Sequence, residues 1–124
     1  TKQAAALKAR YQLDVVTEFC PEPDIPLAAK ETLYRIVQEA THNTVKHAEA
    51  SQVWLTLRVD SDHLSLEIRD NGIGFNPSDD FPGHLGLRSM HERMERIRGV
   101  LQIISSPSAG TQIIASMPYP LVDS

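Results

Sequence analysis

Leu64-Ser65-Leu66-Glu67-Ile68-Arg69-Asp70-Asn71-Gly72-Ile73-Gly74-Phe75 is the stretch on which the fold turns. Its first half alternates apolar and polar residues, the pattern of a half-buried strand. Successive strand side chains point to opposite faces, so Leu64, Leu66, Ile68 and Asp70 share one face, and a carboxylate follows three apolar residues toward the core. An unpaired buried charge is costly, so Asp70 requires a partner. Gly72 and Gly74 let the backbone turn sharply and approach a ligand closely. A purine amino group suits such a carboxylate, and the stretch reads as one wall of a nucleotide pocket.

Upstream, Val53-Trp54-Leu55-Thr56-Leu57-Arg58-Val59 alternates in the same way, and Asp60-Ser61-Asp62 supplies turn chemistry, which predicts a hairpin. Residues 28–48 read as a long helix after a segment broken by Pro21, Pro23 and Pro26. Residues 11–19 alternate as a further strand, and residues 2–9 form a short Ala-rich helical piece. Downstream, residues 76–83 are rich in Pro, Ser, Asp and Gly and read as a mobile loop. Leu87, Met90, Met94 and Ile97 then recur at helical spacing, and Gly99 is placed to stop that helix. Two last strands, 100–105 and 111–117, flank Pro107-Ser108-Ala109-Gly110. This order predicts a two-layer α/β (α+β) sandwich, with a mixed, mainly antiparallel sheet covered by helices on one face.

With 124 residues, 41% of them hydrophobic, the chain fits one domain large enough to bury a core. A net charge of −4 and scattered basic residues argue against a dedicated nucleic-acid binder. The single cysteine, Cys20, excludes an internal disulfide framework and fits a reducing compartment. No apolar run approaches the roughly 20 residues that a bilayer crossing needs. The start, Thr1-Lys2-Gln3-Ala4, has neither an initiator Met nor a signal-peptide pattern, so the chain reads as an excised domain. Neither G-x-x-x-x-G-K-[ST] nor a G-x-G-x-x-G between strand and helix is present, which disfavours P-loop and dinucleotide folds.

The long helix supplies a second constellation. At about 100° per residue, Glu39, Asn43 and Lys46 fall in one narrow stripe with His47 beside them. A core-facing stripe of Leu33, Val37, Ala40 and Thr44 lies next to it. Asn and Glu oxygens suit a hard divalent cation, and Lys offers a point charge to phosphate. An ordinary Glu/Lys-rich surface helix is the alternative. Gly83-His84-Leu85-Gly86-Leu87 places glycines where a loop meets a helix start, a geometry that either binds anions through exposed N–H groups or only ends a loop. Thr111 opens the last strand, where its hydroxyl either reaches a ligand or caps a turn.

Taken in order, Glu39-x-x-x-Asn43-x-x-Lys46-His47, Asp70-x-Gly72-x-Gly74-Phe75, Gly83-x-x-Gly86-Leu87 and Gly110-Thr111 resemble the successive elements of the Bergerat ATP-binding fold. The resemblance spans roughly residues 28–118. Within that superfamily, Tyr34-Arg35-Ile36-Val37-Gln38-Glu39-Ala40 and Gly86-Leu87-Arg88-Ser89-Met90-His91-Glu92-Arg93 look like the catalytic domain of sensor histidine kinases of the nitrate-sensor and desaturation-sensor class.

The resemblance implies a role for each matching position. Asp70 would accept the adenine amino group with Thr111 near the same edge, and Gly72 and Gly74 would let the chain pass the base, with Phe75 following. Asn43 would help to coordinate Mg²⁺, Lys46 and His47 would contact phosphate oxygens, and Glu39 would orient or deprotonate the attacking group. Gly83, Gly86 and the amides near Leu87 would hold the phosphates of ATP. None of the five histidines fits the acceptor pattern of such kinases. The acceptor is therefore expected on a separate dimerisation domain of the same protein, with relay to a response regulator. Residues 1–10 would be the end of a linker from that domain, 11–120 the catalytic domain and 121–124 a tail. A cytoplasmic domain touching neither nucleic acid nor membrane is expected, whether or not the whole protein is membrane-anchored. Two rivals stand beside this reading: a serine kinase of the anti-sigma-factor branch, and a nucleotide-binding module without catalysis.

Overall fold

The computed structural model describes residues 14–19, 24–45, 50–60, 62–74 and 87–119. Five strands and two helices follow in the order β1 (Asp14–Phe19), α1 (Leu27–Asn43), β2 (Gln52–Val59), β3 (His63–Asp70), α2 (Leu87–Arg96), β4 (Val100–Ser105) and β5 (Thr111–Pro118). The expected helix at 2–9 and loop at 76–83 lie outside the described residues.

The strands form one sheet in the order β1-β2-β3-β5-β4. The expected β2–β3 hairpin is present and antiparallel, as are the β3–β5 and β4–β5 pairs. Only β1 runs parallel to its neighbour, β2. Parallel strands cannot be joined by a tight turn, and α1 is the crossover that connects this pair. Pro26 begins the crossover: its carbonyl accepts the N–H groups of Ala29 (3.0 Å) and Lys30 (3.1 Å), so the helix starts where the proline-broken segment ends.

Register carries the alternation of β3 across the sheet. Leu55, Ile68, Ile113 and Ile103 form one row, and Leu57, Leu66, Ala115 and Leu101 the next. Ala29, Leu33, Ile36 and Ala40 of α1 and Met90 and Met94 of α2 close over these rows, and Ile36, Met90 and Met94 lose all contact with water. Each fully buried Leu, Ile or Met contributes roughly 1.5–3 kcal/mol, so the seam between helices and sheet fixes which face of β3 points inward.

The helix α2 stops before Gly99, as expected, and two residues share the work. Arg98, not Gly99, adopts the left-handed conformation (φ 59°). Gly99 instead gives its N–H to Met94 O at 2.8 Å, and a Cβ on it would press on Ser116 O and the Met94 side chain. The glycine is required for closeness to β5 rather than for its dihedral.

A buried carboxylate at the end of the sheet

The last row of the sheet is Val53, Asp70, Thr111 and Ser105. Continued alternation puts Asp70 on the helix-covered face, where it is only 8% exposed. Its carboxylate is held from three directions. Gly72 N–H donates to Oδ1 at 2.8 Å, the Thr111 N–H points at the carboxylate, and Thr44 Oγ1 lies 3.4 Å from Oδ2. Burial pushes the Asp70 carboxyl above its ordinary value, and these three donors pull it back. The arrangement satisfies Oδ1 and leaves Oδ2 able to accept from a ligand donor.

Close backbone approaches fix the walls around it. Gly74 (φ 65°) and Gly110 (φ 74°) are left-handed. A Cβ on Gly74 would collide with the carbonyl oxygens of Ser106 and Gly110, and one on Gly110 with the carbonyl of Asp70. Ser108 N–H, 2.5 Å from Ile73 O, ties the β4–β5 turn to the chain leaving β3. The two glycines after Asp70 thus divide the labour: Gly72 supplies an N–H, and Gly74 supplies the turn. Thr111 Oγ1 shares a 2.8 Å hydrogen bond with Ser105 Oγ, which also donates to Gly110 O at 3.0 Å, so the Thr111 hydroxyl is anchored beside Asp70.

Asn71 is a residue that reasoning from the sequence missed. Its Oδ1 accepts the N–H groups of Ser51 and Gln52, both at 3.0 Å, and its Nδ2 donates to Ser51 Oγ at 3.0 Å. Asn71 pins the start of β2 to the turn after β3 and so fixes where Asp70 sits. Asn followed by Gly was the available signal, since Asn side chains often mimic or bridge backbone at turns. Thr44 was read only as part of the core-facing stripe of α1.

Asn43 is the last residue of α1, next to Thr44, and its Oδ1 is shielded from solvent. Glu39, half-buried one turn earlier, lines a cleft of about 280 Å³ with Arg35, Gln38, His42 and Arg93. Asn43 is not part of that lining, so the polar stripe meets two environments. Leu87 begins α2 and packs against the core. Lys46, His47, Phe75, Gly83 and Gly86 lie outside the described residues. His42 and His91 are exposed, and His63, also exposed, pairs with Asp62 Oδ1 at 2.8 Å. Among the described residues no cluster of three His, Cys, Asp or Glu could hold a metal by itself. No helix among them is long and apolar enough to cross a membrane.

Residues 28–121 match the family of histidine kinase-, DNA gyrase B- and HSP90-like ATPases. The chain belongs to this ATPase family. Within it, the sensor protein VraS of Staphylococcus saprophyticus is 38% identical over 118 residues, covering 95% of this chain and 34% of VraS. VraS of Staphylococcus epidermidis is 36% identical over 112 residues, covering 90% and 32%. The chain therefore spans about a third of the length of these sensor proteins and is homologous to that part of them. In fold it is similar to the blue-light activated histidine kinase of Erythrobacter litoralis EL346, with a TM-score of 0.79 at 23% identity over 94% of this chain and 39% of that one. Histidine kinase AdeS of Acinetobacter baumannii gives 0.77 at 17% identity over 97% and 61%. The expected two-layer sandwich of the Bergerat type, with its mainly antiparallel sheet, is the fold of this ATPase domain.

Proposed function

We propose that this ATPase domain binds Mg-ATP between α1 and the end of the sheet and delivers the γ-phosphoryl group to a histidine on a separate dimerisation domain of the same protein, for relay to a response regulator. The observation that carries this reading is the buried Asp70 carboxylate, with Oδ1 occupied by Gly72 N–H and Thr111 alongside. An ionised carboxylate in that position accepts the exocyclic amino group of adenine, and a base carrying a carbonyl there would leave it facing another acceptor.

The remaining roles follow from chemistry along the chain. Asn43 offers one amide oxygen, enough for an ion that keeps several waters and takes its other ligands from phosphates. Such a Mg²⁺ would neutralise charge on the phosphate oxygens during transfer. Lys46 and His47 would hold phosphate oxygens, and the glycines at 83 and 86 with the amides near Leu87 would cradle them. Phe75 would close the base side. Glu39 would orient the attacking imidazole or take its proton as the P–N bond forms and the bond from Pγ to the bridging oxygen of ADP breaks. Phosphoryl transfer needs chiefly alignment and charge neutralisation, so few catalytic side chains suffice. Residues 1–10 would be the end of a linker to the acceptor domain, 11–120 the catalytic domain and 121–124 a tail, with the domain in the cytoplasm.

Calorimetric titration with ADP, with and without Mg²⁺, tests the reading. Asp70→Asn is expected to weaken ADP binding by about 10- to 100-fold, the worth of a charge-assisted hydrogen bond. Asn43→Ala is expected to leave ADP binding insensitive to the metal. Undiminished affinity in Asp70→Asn would refute the assigned pocket.

A further inference from the structure

The nucleotide reading accounts for Asp70 but not for the hydroxyl beside it. Thr44 is 3% exposed, and its Oγ1 stands between two acceptors, Ala40 O at 3.0 Å and Asp70 Oδ2 at 3.4 Å. A hydroxyl has one proton to donate, so it serves one acceptor at a time. Ala40 O does not depend on that proton, because the backbone N–H of Thr44 already points to the carbonyls of Ala40 and Thr41. At Thr44 and Val45 the chain passes from the α-helix into a π-type turn, and Thr44 lies against the end of β3.

We propose that Thr44 is a positioning residue for nucleobase recognition, whose hydroxyl swings between Ala40 O and Asp70 Oδ2 and thereby keeps Asp70 in the ionised, amino-accepting form. This rests on the nucleotide reading above. With Asp70 ionised, the Thr44 O–H donates to Oδ2 in a charge-assisted bond, and Ala40 O keeps its backbone donor. With Asp70 protonated on Oδ2, the carboxyl O–H donates to Thr44 Oγ1 and the hydroxyl proton turns to Ala40 O. Both states are satisfied, but only the first leaves Oδ2 able to accept from a purine amino group.

Thr44 from α1 meets the carboxylate, Val53, Thr111 and Ser105 share its row on the sheet, and all four are neutral. The nearest charge along the strand, Arg69, is on the other face, 4.4 Å from the centre of the Trp54 ring. Among the described residues the only effects moving the Asp70 carboxyl are burial and its three hydrogen-bond donors, one of them Thr44. Among the described residues, Thr44 is the one side chain that donates to the carboxylate and so favours its charged form.

The test compares the chain with Thr44→Val and Thr44→Ser. The Asp70 side-chain carboxyl carbon is followed by NMR from below the ordinary carboxylate range up to neutral pH, and ADP binding is measured by calorimetry over the same range. Thr44→Val is expected to move the carboxyl titration to higher pH and to weaken ADP binding at the acid end by about tenfold, with the loss shrinking toward the alkaline end. Thr44→Ser, which keeps the hydroxyl, is expected to restore both and stands as the readout if the valine variant fails to fold: a serine variant titrating away from wild type would then count against the proposal. An unchanged carboxyl titration in Thr44→Val would reduce Thr44 to a helix residue bonding back to its own turn. Failure of the wild type to bind ADP at any pH would instead overturn the nucleotide reading, and the recognition role with it, whatever the carboxyl does.

Discussion

The two ends of the polar machinery are built differently. Around Asp70 almost every contact is made by backbone or is locked to it: Gly72 N–H, Thr111 N–H, and the tight approaches at Gly74 and Gly110. Around Glu39 the walls are long side chains from two helices, Arg35, Gln38, His42 and Arg93. Arg93 Nε is buried there without a hydrogen-bond partner among the described residues. A site that reads one base gains from rigidity, because a displaced carboxylate loses its discrimination. A site that meets an acceptor on another domain gains from side chains that can rearrange when the acceptor arrives.

Glu39→Gln gives the sharpest separation of the two ends. In a longer protein carrying the acceptor domain, phosphoryl transfer is expected to fall by about 10²- to 10⁴-fold with ADP affinity unchanged. Equal loss in both would merge the two regions into one. Gly110→Ala is expected to lower stability by roughly 1–3 kcal/mol, since it forces a side chain into a left-handed position against the Asp70 carbonyl; thermal unfolding reads this directly. Asn71→Ala removes three hydrogen bonds and is expected to cost about 1–3 kcal/mol, with weaker ADP binding through displacement of Asp70.

The smallest effect has the opposite sign. Because burial raises the folded-state value of the Asp70 carboxyl, the folded chain holds its proton more tightly than the unfolded chain. The resulting penalty is absent below the unfolded value and complete once pH exceeds the folded one. Asp70→Asn should therefore be at least as stable as wild type at neutral pH while binding ADP poorly. Lower thermal stability in that variant would mean that the carboxylate braces the fold as well as reading the base.

The face of β3 was legible in the sequence because a period of two leaves little freedom, and Asp70 simply continues it. The hairpin was equally plain, since Asp60-Ser61-Asp62 separates two alternating runs. What eluded the sequence depends on contacts between distant segments. Arg98 rather than Gly99 is left-handed, while Gly99 is the residue pressed against β5. Thr44 could be placed on the core-facing stripe, yet the carboxylate it meets is 26 residues away. Helical spacing grouped Glu39 with Asn43, but only packing against α2 sets Glu39 in a cleft with Arg93.

The side of the sheet that faces away from α1 and α2 has a practical use. The chain's one tryptophan, Trp54, lies there in the row from Val16 to Ile104, stacked under Arg69 one residue before the buried Asp70 carboxylate. Its emission is an optical gauge built into the pairing of β2 with β3. Loss of that pairing on heating would register as a colour change from within the protein, without any attached dye.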